Sequence, residues 1–166
     1  VPKPNTTHPL PRGTLSLNLT EWLLDQVASG AATVTAPAGN YAQVGLTNFS
    51  STGYLLYVVG CAVWTNDPAG GVTLRLTNVT PPAGTMVATQ TLNPLVGAID
   101  GNFGYATAPS IPGGVGVWRM SGGNTSDFWP YDAPIAILPT GWSIYTAPDN
   151  MATTVSASYR WIALRG

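Results

Sequence analysis

The stretch that most limits what this chain can fold into lies at its end, Thr154-Val155-Ser156-Ala157-Ser158-Tyr159-Arg160-Trp161-Ile162-Ala163. Val155, Ala157, Tyr159, Trp161 and Ala163 fall at every second position, with Thr154, Ser156, Ser158 and Arg160 between them. Side chains of a strand alternate between its faces, so this period of two describes a half-buried strand in a sheet with one wet face. Just upstream, Leu138-Pro139-Thr140-Gly141 fits a type I turn with proline second and glycine fourth. Residues 135–138 are therefore expected to fold back against 142–145. A second turn at Pro148-Asp149-Asn150 launches the last strand.

The same grammar extends upstream. Clusters of turn formers at 37–40, 50–53, 67–71 and 81–84 separate segments that read as strands at 32–36, 41–46, 54–65, 72–79, 85–92 and 115–120. Residues 14–19 alternate as well. One short helix is expected over residues 21–28, opened by Thr20 as N-cap and closed by Ser29-Gly30. Glu21 and Asp25 would suit its dipole, and Leu23, Leu24 and Val27 could share a face; the other reading is a loop crossing an open sheet edge. The sum is an all-β chain, an antiparallel β-sandwich of jelly-roll type with eight to nine strands. An immunoglobulin-like sandwich ranks second, because its Cys-Trp-Cys framework is absent. Residues 93–114 and 121–127, rich in glycine, are the least regular, and as long surface excursions they are first candidates for partner or ligand contacts.

With 166 residues, 14–166 is sized for one domain. Residues 1–13, with Pro2, Pro4, Pro9 and Pro11 beside Lys3 and Arg12, read as an extended arm laid on a neighbouring subunit, or as a frayed terminus. Charge is the outlying quantity: 8% of residues are charged, against roughly 25% in an ordinary soluble domain. Serine and threonine can wet a surface without charge. Alternatively much of the surface is covered by other subunits, since interface cores are poor in charge and rich in aromatics. A net charge of −1 leaves nothing to neutralise a run of phosphates, so nucleic acid is not an expected partner. The single cysteine, Cys61, reads as a buried core residue, and so few cysteines lean towards assembly in a reducing cytoplasm. No signal peptide or membrane span is read, and the chain is expected to be soluble.

Catalytic chemistry finds little to work with. His8, the one histidine, stands in the arm, and a zinc site would need more Cys and His than exist. Asp67, Asp100, Asp127, Asp132 and Asp149 fall in loops where calcium could in principle be held, or they are solvated turn residues. Glu21 is the only glutamate, a thin basis for a glycosidase carboxylate pair. Acid and aromatic meet once, where Asp127 and Asp132 flank Trp129 and Tyr131; this is either a sugar-stacking platform or a packed turn. The tryptophans read mainly as core or interface anchors. The Asn-x-Ser/Thr triplets at Asn5, Asn18, Asn48, Asn78 and Asn124 read as coincidence. No catalytic residue, cofactor or metal is assigned.

Pro134-Ile135-Ala136-Ile137-Leu138-Pro139-Thr140-Gly141-Trp142-Ser143-Ile144-Tyr145, the following turn, and a terminal strand containing Tyr159-Arg160-Trp161 resemble small jelly-roll virion proteins of tailed bacteriophages. Leu46-Thr47-Asn48 ahead of the 54–64 segment fits the same pattern. The resemblance implies a non-enzymatic structural protein of the virion. Most often this is a head decoration, or cement, protein, a homotrimer seated over junctions of the major capsid protein and assembled in the host cytoplasm. The alternative is a carbohydrate- or receptor-binding module of a phage tail or fibre, with Asp127, Trp129, Tyr131 and Asp132 as its site, or another tail or connector component.

Overall fold

The computed structural model describes residues 27–49, 53–79, 84–91, 101–121, 126–128 and 134–165. These form an all-β sandwich of two antiparallel sheets, with no helix among the described residues. In chain order the strands are β1 (Val27–Thr35), β2 (Tyr41–Thr47), β3 (Tyr54–Thr65), β4 (Val72–Thr77), β5 (Thr85–Met86) and β6 (Gln90–Thr91). They continue with β7 (Asn102–Ala108), β8 (Val115–Met120), β9 (Ser126–Phe128), β10 (Ala136–Leu138), β11 (Ser143–Pro148) and β12 (Thr154–Arg165). One sheet runs β10-β3-β12-β1-β6, with β9 also on β3; the other runs β5-β7-β2-β11-β4-β8.

The pairing is nested. β1 pairs with β12, β2 with β11, β3 with both β9 and β10, and β4 with β8. Between β4 and β8 the chain adds β5, β6 and β7, which extend the two sheets along one side. The β1–β2 crossing between sheets is made by Pro37-Ala38-Gly39-Asn40, where the Asn40 amide donates to the Pro37 carbonyl (3.1 Å) and Gly39 has φ 79°. A positive φ at the third position is the mark of a type II turn, which favours glycine there.

The last strand is as its alternation requires: Val155, Ala157, Tyr159, Trp161 and Ala163 are all buried, and Arg160 is exposed. β3 breaks its own alternation. Leu56 and Val58 are buried, then Cys61, Val63 and Thr65, so the inward phase shifts by one between them. A register shift against β12 supplies the cause: Arg160 faces Gly60 while Trp161 faces Val58, leaving Val59 as the extra residue of a bulge. The bulge keeps both halves of a 12-residue strand turned to the core. Cys61 is a free, buried thiol, and burial pushes its pKa up to about 12.

Four expectations are corrected. Val27 to Gly30, expected to end a helix, begin β1 instead: Ala28 lies between Trp161 and Thr91 and is fully buried, so pairing on both sides overrides the local capping signals. Residues 14–26 lie outside the described residues. The 93–114 excursion contains β7, which pairs along all of β2 and sends Phe103 into the core. Residues 135–138 do not form a hairpin with 142–145, because β10 belongs to one sheet and β11 to the other. The turn between them is shifted by one residue, with the Trp142 amide donating to Pro139 O (3.0 Å) and Gly141 at φ 82° in the third position. This repeats the proline-x-glycine crossing at 37–40. The expected strand at 85–92 is two short strands, β5 and β6.

Candidate functional site

The two ends of the sandwich differ chemically. At one end, the loop 66–71 between β3 and β4 meets the loop 149–153 between β11 and β12. Asp67 is buried; its Oδ1 accepts from the amides of Ala69 (3.0 Å) and Gly70 (2.8 Å), and its Oδ2 from Asn150 Nδ2 (2.8 Å). Asp149 Oδ2 accepts from the Gly71 amide (2.7 Å) and Arg119 Nη2 (2.6 Å), and its Oδ1 from Arg119 Nη1 (3.0 Å). The Gly70 amide above all, with Ala69 and Asn150, holds Asp67 below the usual carboxylate range; Arg119 and then Gly71 do the same for Asp149. Asp67 is a buried turn aspartate, whereas Asp149 is an exposed one held by Arg119 and the Gly71 amide. Their carboxylates bind N–H groups of the neighbouring loop and so fix the end of the sandwich. Among the described residues, no three of His, Cys, Asp and Glu stand together as a metal site would need, and no helix is long and apolar enough to cross a membrane.

At the other end, exposed apolar side chains stand among the described residues. Thr47, Ser143 and Thr77 are register partners at the ends of β2, β11 and β4, and Leu76 faces Val115 at the start of β8. Phe49 and Val79 stand just beyond two of these strand ends, 55% and 54% exposed, with Val115 at 69%. Asn48, buried between them and the core, donates its amide to the carbonyls of Tyr54 and Leu138 (both 2.8 Å), so it is a structural clamp and no glycan acceptor.

A groove of about 380 Å³ opens from this end onto the outer face of the β7-β2-β11 region. Its lining includes a glycine pair, Gly45 of β2 directly opposite Gly104 of β7. Phe49 and Met86, the latter 57% exposed, stand at its rim, and none of its lining residues is charged. Next to it, residues 109–114 cross the same outer face on their way from β7 to β8. Gln43 Nε2 donates to Ser110 O (3.0 Å) and the Tyr145 hydroxyl to Pro112 O. These two side chains point away from the core yet are buried, because the crossing segment covers them.

No family model, curated protein or solved structure matches this chain.

Of the residues singled out in the sequence, Asp127 lies in β9, opposite Val63 on the outer side of β3. Trp129, Tyr131 and Asp132, and the arm residues Pro2, Lys3, Pro4, Pro9, Pro11 and Arg12, lie outside the described residues. The groove was missed. Gly45 interrupting an otherwise well-formed strand is the available signal, since a glycine there often marks a close approach of other groups. Its partner Gly104 was hidden in a segment read as loop.

Proposed function

We propose that this protein is a non-enzymatic structural subunit of a phage virion, a jelly-roll decoration (cement) protein that forms a homotrimer and binds the major capsid protein. The jelly-roll reading is supported by the nested pairing. A long two-stranded hairpin, rolled so that successive segments fall alternately into opposing sheets, pairs first strand with last, second with penultimate, and so on inward. β1 with β12, β2 with β11, β3 with β9 and β10, and β4 with β8 follow that rule, and β5 to β7 are an insertion between its fourth and fifth positions.

The observation that carries the assembly reading is the grouping of Phe49, Val79 and Val115, each more than half exposed, at one end of a chain in which 8% of residues are charged. Apolar side chains gathered on a charge-poor surface mark an interaction site, and a lasting contact needs roughly 1,200–2,000 Å² of buried surface in total. A cement protein works by such burial alone, without chemistry.

Sedimentation of the purified chain, alone and mixed with undecorated phage heads, tests this. Trimers that bind heads are expected, with Val79→Asp/Val115→Asp reducing binding while leaving the unfolding transition in place. A monomer indifferent to heads overturns the proposal.

A further inference from the structure

We infer that the recess where β6 ends beside β1 and β12 is a binding site for an acidic saccharide, with Arg160 taking the carboxylate and Ser29, Ser158 and Gln90 the hydroxyls. It shares no residue with the apolar groups that carry the assembly reading and does not depend on that reading.

Strand register builds the site. On the outer face of the sheet containing β12, Gln90, Ser29, Arg160 and Gly60 stand in one row across β6, β1, β12 and β3, and Ala31, Ser158 and Ala62 stand in the next. β6 is two residues long and pairs with Ala28 and Ser29 alone. Beyond it a recess of about 420 Å³ opens, bounded also by Val87 and Ala88. That volume lies within the range of small-molecule sites.

The polar groups here differ from those elsewhere on the same face. Two rows along, β1 and β12 satisfy each other: Thr33 Oγ1 donates to Ser156 Oγ, and Thr35 and Thr154 share a hydroxyl bond, both at 2.9 Å. In the recess that pattern stops. Among the described residues, no hydrogen bond or ion pair engages the side chains of Ser29, Ser158, Gln90 or Arg160, whereas Arg119 is committed to Asp149. Gly60 lets the Arg160 stem lie flat on the sheet, since a Cβ there would stand 3.5 to 3.8 Å from Arg160 Cβ, Cγ and Cδ. The guanidinium at the end of that stem is held by no partner, so side-chain rotation is enough to present it to the recess that Arg160 lines.

A guanidinium offers a planar fork that a carboxylate fits with two parallel hydrogen bonds. Serine hydroxyls and a carboxamide both donate and accept, as sugar hydroxyls do, so they match a polyhydroxy ligand and not a bare anion alone. No carboxylate lines the recess to repel an acid.

Glucuronate, galacturonate and N-acetylneuraminate, titrated into the isotope-labelled full chain and followed by NMR, test this. At least one is expected to give saturable shifts centred on the amides of Ser29, Gln90, Ser158 and Arg160 and on the Gln90 carboxamide. A dissociation constant of about 1–10 mM is expected for one ionic anchor with a few hydroxyl contacts. Glucose, which has hydroxyls without the charge, and acetate, which has the charge without hydroxyls, should each bind about tenfold or more weakly. Arg160→Gln should weaken binding by about tenfold or more, and Arg160→Lys, which keeps the charge and loses the fork, should fall between it and the unaltered chain. Arg160 is exposed, so both variants should keep the unfolding transition of the parent. The inference is overturned by an absence of saturable shifts with all three acids, by acetate binding as tightly as they do, or by undiminished binding in Arg160→Gln.

Discussion

The ring of Phe103 lies directly over Gly30: a Cβ placed on that glycine would come within 2.6 Å of the ring's Cγ and Cδ1. Phe103 comes from β7 of one sheet and Gly30 from β1 of the other, so the contact joins the sheets at the side where the inserted strands were added. The ring cannot swing away freely. It sits edge-on to Tyr159 (centroids 5.9 Å apart, 62°) and stacked on Trp161 (6.5 Å, 18°), and all three are buried.

Gly30→Ala sets two effects against each other. Alanine in a strand is favoured over glycine by roughly 0.5–1 kcal/mol, whereas forcing an extra methyl into a packed core costs roughly 1–3 kcal/mol. Overpacking wins, and a net loss of about 1–2 kcal/mol in urea unfolding is expected. The loss should shrink in a Phe103→Leu background, because the clashing ring is gone; purely additive effects in that double-mutant cycle would show that the contact is not limiting.

How much of this was legible depends on where the information sits. β12 and β8 were readable because their own residues carry the pattern, and β3 was readable as an apolar run although its bulge was not. That bulge is a property of its register with Arg160 and Trp161, visible once the partner strand is known. β7 was hidden because Gly101 and Gly104 read as loop, while their small size serves a partner. A Cβ on Gly101 would strike the Trp161 indole, and Gly104 lies under the Thr85 carbonyl. The turn at 139–142 was found, but its role was misjudged: a proline-glycine turn fixes a change of direction and leaves open whether the next strand joins the same sheet or the facing one. Of the candidate sites, the aspartates Asp67 and Asp149 were correctly placed in loops. Their ligands proved to be the chain's own amides and Arg119, contacts made across more than 75 residues in the case of Gly71 and Asp149 and beyond any local signal.

Cys61 should be silent to thiol reagents in the native protein. Only the thiolate reacts, and a pKa of about 12 leaves on the order of one molecule in ten thousand ionised at pH 8, in a side chain that is also sterically enclosed. Alkylation by iodoacetamide should therefore be negligible in buffer and become rapid across the urea transition, so the label reports global unfolding. Fast native-state labelling would mean that β3 opens locally.

Arg119→Ala and Asp149→Ala should differ although they break the same ion pair. The pair is largely in water, with side-chain exposures of 56% and 35%, so losing the guanidinium alone is expected to cost below about 1 kcal/mol. Removing the carboxylate also strands the Gly71 amide, which donates to it at 2.7 Å, and adds roughly 1–3 kcal/mol for an unsatisfied part-buried donor. Asp67→Ala, which strands the amides of Ala69 and Gly70 beneath a buried side chain, should fall in the same larger class. Chemical unfolding of the three variants gives the ranking, and equal losses for Arg119→Ala and Asp149→Ala would assign the whole effect to the ion pair.

The stability profile against pH follows from groups shifted in opposite directions. Asp67 and Asp149 have folded pKa values below the unfolded value of about 3.9, so their contribution is complete above that pH and is lost as pH falls through the folded values. Cys61 is shifted the other way, to about 12. Its contribution is complete below the unfolded thiol pKa of about 8.5 and declines as pH rises towards the folded value, because the unfolded chain releases that proton first. Tyr159, raised by complete burial, adds to the same alkaline decline above about pH 10. A plateau between about pH 4 and pH 8.5 is therefore expected, with a falling limb on each side. Replacing Cys61 with Ala should remove the first part of the alkaline limb and leave the acid limb untouched, while Asp67→Ala should flatten the acid limb and spare the alkaline one. Urea midpoints measured from pH 2.5 to pH 11 for the three proteins decide it: an alkaline limb unchanged in Cys61→Ala would mean that the thiol does not govern stability there.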